Sequence, residues 1–173
     1  MQENFNLLIS CPRFHEKDAI AELWYLYSNI GDDEVRSEYS TFPGLIIAKT
    51  NIDPIISIQK LKKIIVEDPS LLRFVLKIIP IEIVIETNLE KILEVTNKLK
   101  DRINELETFR ITVKNRFSPF DSQDLIIKVA EHIDRKVNLT KPDKILMIQI
   151  LGKITGLALL KPADILTKAE FSH

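Results

Sequence analysis

Apolar and polar residues alternate strictly from Thr108 to Arg116, with Phe109, Ile111 and Val113 separated by Arg110, Thr112 and Lys114. A period of two marks a half-buried strand, so one face packs into a core while Arg110, Lys114 and Arg116 line the other. The period then changes. Leu125, Val129 and Ile133, with Ile126, predict a helix running to about Arg135. Asp121 or Ser122 caps it, because a side-chain oxygen there accepts from the free amides of the first turn. Lys136 to Asp143 reads as a polar, proline-containing turn. Lys144 to Ile150 and Gly156 to Leu160 are so dense in Ile and Leu that burial on both faces is predicted.

The N-terminal half repeats this alternation of periods. Phe5 to Ser10 is a short apolar strand ended by Cys11-Pro12, and His15 to Asn29 is a helix whose broad apolar face includes Ala19, Leu23, Leu26, Trp24 and Tyr27. Gly31 suits the left-handed residue just beyond a helix. Glu34–Thr41 and Leu45–Lys49 form a hairpin about Pro43-Gly44. Asp53-Pro54 starts a helix continued by Ile58, Leu61, Ile64 and Ile65. Leu72–Ile79 and Ile81–Glu86 are extended. Strand, helix, strand, strand, helix, strand is the split order of a ferredoxin-like domain, expected over residues 1–86. A further helix is predicted over Thr87–Glu107, with Leu89, Ile92, Val95, Leu99 and Ile103 inside and Lys98, Lys100 and Arg102 outside. No glycine- or serine-rich linker marks the joint, so a second domain over residues 87–173 is expected to pack on the first. The fold class is α/β of the α+β kind.

Charge divides the halves more sharply than hydropathy does. Residues 1–88 hold 9 Lys and Arg against 13 Asp and Glu, whereas residues 89–173 hold 15 against 12. The chain's net charge of −1 excludes a nucleic-acid binder that works by bulk charge, and leaves a local, directional contact through the C-terminal half. Cys11 is the single cysteine, so no internal disulfide forms and a reducing compartment is the default. The N-terminal Met-Gln-Glu-Asn lacks the basic start of a signal peptide, and no apolar run approaches the roughly 20 residues of a membrane span. A cytoplasmic protein with no membrane partner is expected.

Catalytic chemistry is hard to find in the sequence. His15, His132 and His173 have no metal-ligand spacing with Cys11 or with one another, so no metal site is expected. His132 is read as solvated or locally bonded, and Cys11 as a small buried thiol at a strand end. Gly152-Lys153-Ile154-Thr155 ends like a phosphate loop, but Met147 stands where the required glycine would be. Asp32-Asp33-Glu34 reads as a solvated turn, and packing is expected for Trp24 and Tyr27. No catalytic residue and no cofactor is predicted.

The cations carry the remaining signal. Arg110, Lys114 and Arg116 share a strand face, while Lys136, Lys141, Lys153 and Lys161 lie near turns. Scattered lysines usually make only a solvated surface, but arginines at alternate strand positions suit forked contacts with phosphate. The strand Thr108–Arg116, the segment Lys136-Val-Asn-Leu-Thr-Lys-Pro-Asp143, the strand Ile145–Ile150 and the ending Leu159-Leu-Lys-Pro162 together resemble a THUMP domain. The resemblance covers roughly the C-terminal third, and points in particular to the stand-alone THUMP proteins that assist cytidine acetylation on tRNA. Asn138 stands where an aspartate is common. The resemblance implies a non-catalytic tRNA-binding adaptor that presents tRNA to a separate acetyltransferase forming 4-acetylcytidine. On that reading RNA recognition rests on shape, phosphates and 2′-hydroxyls, through the seven cations just named. Two alternatives remain open: an RNA-binding subunit for thiolation or methylation, and a protein scaffold working through the acidic half.

Overall fold

The computed structural model describes residues 3–172. Its elements begin with β1 (Leu7–Ser10), α1 (Glu16–Asn29), β2 (Arg36–Tyr39), β3 (Leu45–Lys49), α2 (Pro54–Glu67), β4 (Lys77–Pro80) and β5 (Ile83–Glu86). There follow α3 (Leu89–Leu99), β6 (Thr108–Arg116), α4 (Ser122–Ala130), β7 (Lys136–Val137), β8 (Lys144–Leu151), β9 (Ile154–Leu160) and β10 (Leu166–Thr167). Two sheets and four α-helices among the described residues make a mixed α/β protein of the α+β kind. Among the described residues, no helix is long and apolar enough to cross a membrane.

The first compact unit runs through Ile81 and regains the chain from Asp164 onward. Its sheet has the order β10-β4-β1-β3-β2, with every neighbouring pair antiparallel. β1 lies between β3 and β4, so each helix crosses over an intervening strand. Leu7, Ile9, Leu23, Leu26, Ile46, Ile58, Leu61 and Ile78 fill the core between sheet and helices. Asp53 caps α2 by accepting from the Ile56 amide at 3.0 Å, with Pro54 in the first turn. The hairpin needs glycine at Gly44: its φ is +77°, and a Cβ there would stand 2.8 Å from the Cys11 carbonyl.

The second unit spans Glu82–Ala163, with a sheet in the order β5-β9-β8-β6-β7. Here β6 is parallel to both β7 and β8, while β8–β9 and β9–β5 are antiparallel. Phe109, Ile111, Leu146, Ile148, Leu157 and Leu159 meet Ile92, Leu99, Leu125 and Val129 from the helices. Residues Ile145 to Leu151 are buried without interruption, as the apolar density of that strand predicted.

Several expectations are corrected. The expected division at 86/87 differs from the compact units, because β5 joins the second sheet and β10 returns the C-terminal residues to the first. The strand expected from Leu72 starts only at Lys77, since Glu22 takes the amides of Arg73, Phe74 and Val75. The helix predicted over Thr87–Glu107 ends at Leu99 and closes with a 3₁₀ turn, and Asn88 caps its start. The helix predicted to Arg135 ends at Ala130, where the amides of His132 and Ile133 bond three residues back instead of four. Tyr27 is fully buried against the Ser57 hydroxyl, but Trp24 is half exposed and donates to the Asp33 carbonyl. Asp32 is buried rather than solvated, accepting from Thr50 and from the amides of Glu34 and Asn51.

Candidate nucleic-acid interface

The candidate interface is built around β6. Strand alternation turns Phe109 and Ile111 into the core and leaves Arg110, Thr112, Lys114 and Arg116 on the opposite face. Those four stand beside Ile145, Met147, Gln149 and Leu151 of β8, all of them buried. The cation row is therefore not uniform. Lys114 is exposed, whereas Arg110 and Arg116 are half-buried. Arg116 donates to the Gln149 side-chain oxygen at 2.8 Å, and Gln149 in turn donates to the Met147 sulfur at 3.0 Å. Burial of the Arg116 guanidinium lowers its pKa from the usual arginine value. Arg110 donates to the Leu139 carbonyl at 3.0 Å, and its buried Nε makes no hydrogen bond. Both guanidiniums serve inside the protein first.

The segment Lys136–Asp143 is more ordered than a polar turn. It opens as β7 on the edge of β6, with Thr108 opposite Lys136 and Phe109 opposite Val137. The Asn138 amide donates to the Phe109 carbonyl, and its side-chain oxygen accepts from the amides of Thr140 and Lys141 at 3.1 and 3.0 Å. Asn138 thus makes the turn that an aspartate would make, since either side chain offers the accepting oxygen. Asp143 fastens the far end, accepting from the Thr108 amide at 2.8 Å and from its hydroxyl at 3.1 Å. These bonds hold the Asp143 carboxyl below its ordinary pKa, the backbone amide contributing most. A loop tied at both ends to β6 presents Lys136 and Lys141 to solvent, together with exposed Val137 and Leu139.

Lys153 occupies the opposite end of the sheet, at the tip of the two-residue turn between β8 and β9. Gly152 has φ +63° and donates its amide to the Arg116 carbonyl at 2.8 Å, while the Lys153 carbonyl accepts from Thr87. Lys161 is exposed just after β9, level with the start of β8. At roughly 3.3 Å per residue, the two ends of β6 lie about 26 Å apart. The seven expected cations thus fall into a group at the start of β6 (Lys136, Lys141 and, two strands away, Lys161), a second at its end (Arg116, Lys153), and Arg110 and Lys114 between.

Other charges are already engaged. Lys100 donates to the His132 carbonyl, Arg102 pairs with Glu82 and donates to the Leu159 carbonyl, and Lys144 pairs with Glu107. Lys144 is the first cause of the lowered Glu107 pKa. Lys114, Lys128, Lys136, Lys141 and Lys153 remain exposed with no partner among the described residues. Lys128, on the exposed side of α4, was not expected at the site, although its place off the Leu125, Val129 and Ile133 stripe marks it as solvent-facing. Phe117 was also missed. It is 92% exposed, directly after Arg116, with φ +61°.

Cys11 is buried, and desolvation with nearby Glu16 pushes its thiol up to about 11, so the nucleophilic thiolate is scarce at neutral pH. No group of three His, Cys, Asp or Glu side chains that could hold a metal occurs among the described residues.

No curated protein sequence matches the chain. Solved structures do share its fold. PH1313 from Pyrococcus horikoshii Ot3 is 21% identical with a TM-score of 0.61, covering 91% of this chain and 55% of its own. TrmN from Thermus thermophilus is 15% identical with a TM-score of 0.59, covering 91% of this chain and 46% of its own. A 4-thiouridine synthetase solved with RNA and bound ATP is 11% identical with a TM-score of 0.61, covering 95% of this chain and 42% of its own. The chain spans about half the length of these proteins. Residues 86–160 match the sequence family of the THUMP domain, so the segment that holds β6, the fastened loop and the β8–β9 turn is a THUMP domain.

Proposed function

We propose that the chain is a tRNA-binding adaptor, without catalysis of its own, that presents tRNA to a separate acetyltransferase for 4-acetylcytidine formation. The observation that carries the RNA-binding part is the loop Lys136–Asp143 of the THUMP domain. It is locked to β6 by Asn138 and Asp143 and presents two unpartnered lysines to solvent. A preset loop of this kind meets phosphate without an ordering step. The second unit holds 14 Lys and Arg against 12 Asp and Glu, so attraction to RNA is local and rests on where the free lysines stand. The fold shared with a 4-thiouridine synthetase solved with RNA supports the same reading. The acetylation role rests on the resemblance of the Lys136–Asp143 segment and its flanking strands to the stand-alone THUMP adaptors.

Gel shifts with tRNA, tRNA fragments and an unrelated RNA test the binding, with tRNA expected to bind most tightly. Incubation of the protein with tRNA and acetyl-CoA, followed by nucleoside analysis, is expected to give no 4-acetylcytidine until an acetyltransferase is added. Product formed by this chain alone overturns the adaptor reading. The synthetase fold keeps a second reading in play, an RNA-binding subunit for thiolation. Thiouridine made only when this protein joins a sulfur-transfer enzyme would favour it.

A further inference from the structure

Among the described residues, two that are not glycine have positive φ, and both are phenylalanines: Phe14 at +71° and Phe117 at +61°. Both are almost fully solvent-exposed, at 94% and 92%. Each directly follows an arginine, Arg13 or Arg116, and each lies where a strand hands over to a helix, β1 to α1 and β6 to α4. A left-handed backbone is strained for a bulky side chain, and an exposed ring gains nothing from burial in return. Glycine or asparagine would fit both positions with less strain. Leu106 is as exposed, at 97%, yet it has an ordinary backbone and follows Glu105. The recurring unit is a cation followed by a strained, outward-facing ring.

Each tip is also held in place. In the first unit the His15 amide bonds the Pro12 carbonyl at 3.1 Å, closing a turn with Phe14 at the position that favours positive φ. Beside it the His15 ring stacks on Phe74 at 5.1 Å, and the Arg73 guanidinium lies 5.2 Å from the centre of that ring. The nearby acids are occupied, Glu16 by the Gly44 amide and Asp18 by His15. In the second unit Asn115 donates to the Phe120 carbonyl and accepts from Ser118, whose hydroxyl accepts from the Phe120 amide. The Gly152–Arg116 bond sets the exposed Lys153 next to that loop.

We infer that Phe14 and Phe117 are stacking platforms for unpaired nucleobases of a bound RNA, with the exposed Arg13 beside the first and the exposed Lys153 beside the second for the adjoining phosphate. Rings stack on any base face, and cations beside them track the backbone. The inference rests on the RNA-binding reading and deepens it, because it adds a preference for single-stranded nucleotides and brings the acidic first unit into the contact.

The test uses the full chain with three probes: tRNA, a single-stranded oligoribonucleotide, and a blunt duplex of the same sequence. Phe14→Asn and Phe117→Asn keep a residue that accepts the left-handed backbone, so both variants are expected to melt no lower than wild type. Each is expected to weaken single-stranded and tRNA binding by about fivefold or more, from the loss of one stacked base. Duplex affinity and the salt slope are expected to stay unchanged, because a ring releases no counterions. Phe14→Trp and Phe117→Trp are expected to restore binding. A folded Asn variant that binds the single strand like wild type overturns the assignment of its ring. If wild type binds none of the three RNAs, the RNA-binding reading itself falls, and the platforms with it.

Discussion

Two kinds of cation share the face around β6, and they do different work. Arg110 and Arg116 are half-buried and spend hydrogen bonds on the Leu139 carbonyl and the Gln149 side chain. Lys114, Lys136, Lys141 and Lys153 stand in solvent without a partner. The planar guanidinium forms fixed, directional bonds and tolerates partial burial better than a compact ammonium. On the proposed RNA-binding reading, the arginines therefore hold the scaffold and the lysines are left free to meet phosphate. Residue type alone would have ranked them the other way, since arginine forks suit phosphate so well.

The largest expected effect breaks the lysine half of this comparison. Replacing Lys114, Lys136, Lys141 and Lys153 together by Ala removes exposed side chains only, so the melting curve is expected to match wild type. Affinity for tRNA is expected to fall at least about tenfold, and its salt slope to become shallower by roughly three units, at 0.7–0.9 per phosphate contact. Unchanged affinity in this folded variant would move the footprint off the β6 face.

The arginine half predicts the opposite signature. Arg116→Ala leaves the Gln149 oxygen buried without a donor, a loss of about 1–3 kcal/mol that a lower urea midpoint reports. Adding Gln149→Met to that variant is expected to return much of the stability, because removing both partners of a buried bond is nearly neutral. A single Arg116→Ala variant that melts like wild type yet loses tRNA would show the arginine to be a ligand contact and dissolve the distinction.

Much of this arrangement is legible in the sequence. The alternation along β6 names its buried and outward residues, Asp53 caps α2 as its position predicts, Asp121 is the one of the two offered residues that caps α4, and Pro43-Gly44 turns the first hairpin. What stays hidden depends on partners distant in sequence. Arg116 meets Gln149 33 positions later through the register of β6 on β8, which no local pattern encodes. β10 is two residues long, too short to carry a period, so its return to β4 leaves no trace in the hydropathy. The switch of sheet after Ile81 is masked because Ile78 to Ile85 reads as one apolar stretch interrupted by Pro80 and Glu82. The left-handed backbone at Phe14 and Phe117 is invisible for a further reason. Turn chemistry leads one to expect glycine or asparagine at such positions, and neither is there.

The smallest expected effect concerns the bond that positions two of the lysines. Asp143 accepts from the Thr108 amide and hydroxyl, and so pins the far end of the loop that carries Lys136 and Lys141. Its carboxyl is held below the ordinary value, chiefly by the Thr108 amide. A lowered folded pKa means that the stabilisation is fully present above the unfolded value of about 4, and is lost as pH falls through the lower, folded one. Asp143→Asn keeps one accepting oxygen but no charge. Denaturation curves at pH 7 are therefore expected to place it slightly below wild type, with the gap closing as pH falls below about 4. At pH 7 its tRNA affinity is expected to drop by less than that of the four-lysine variant, with the salt slope nearly intact, since no phosphate contact has been removed. A gap that persisted at pH 2 would mean that Asp143 acts through packing and not through its charge. A salt slope as shallow as that of the four-lysine variant would mean that the loop lysines reach RNA only when this one carboxylate holds them in place.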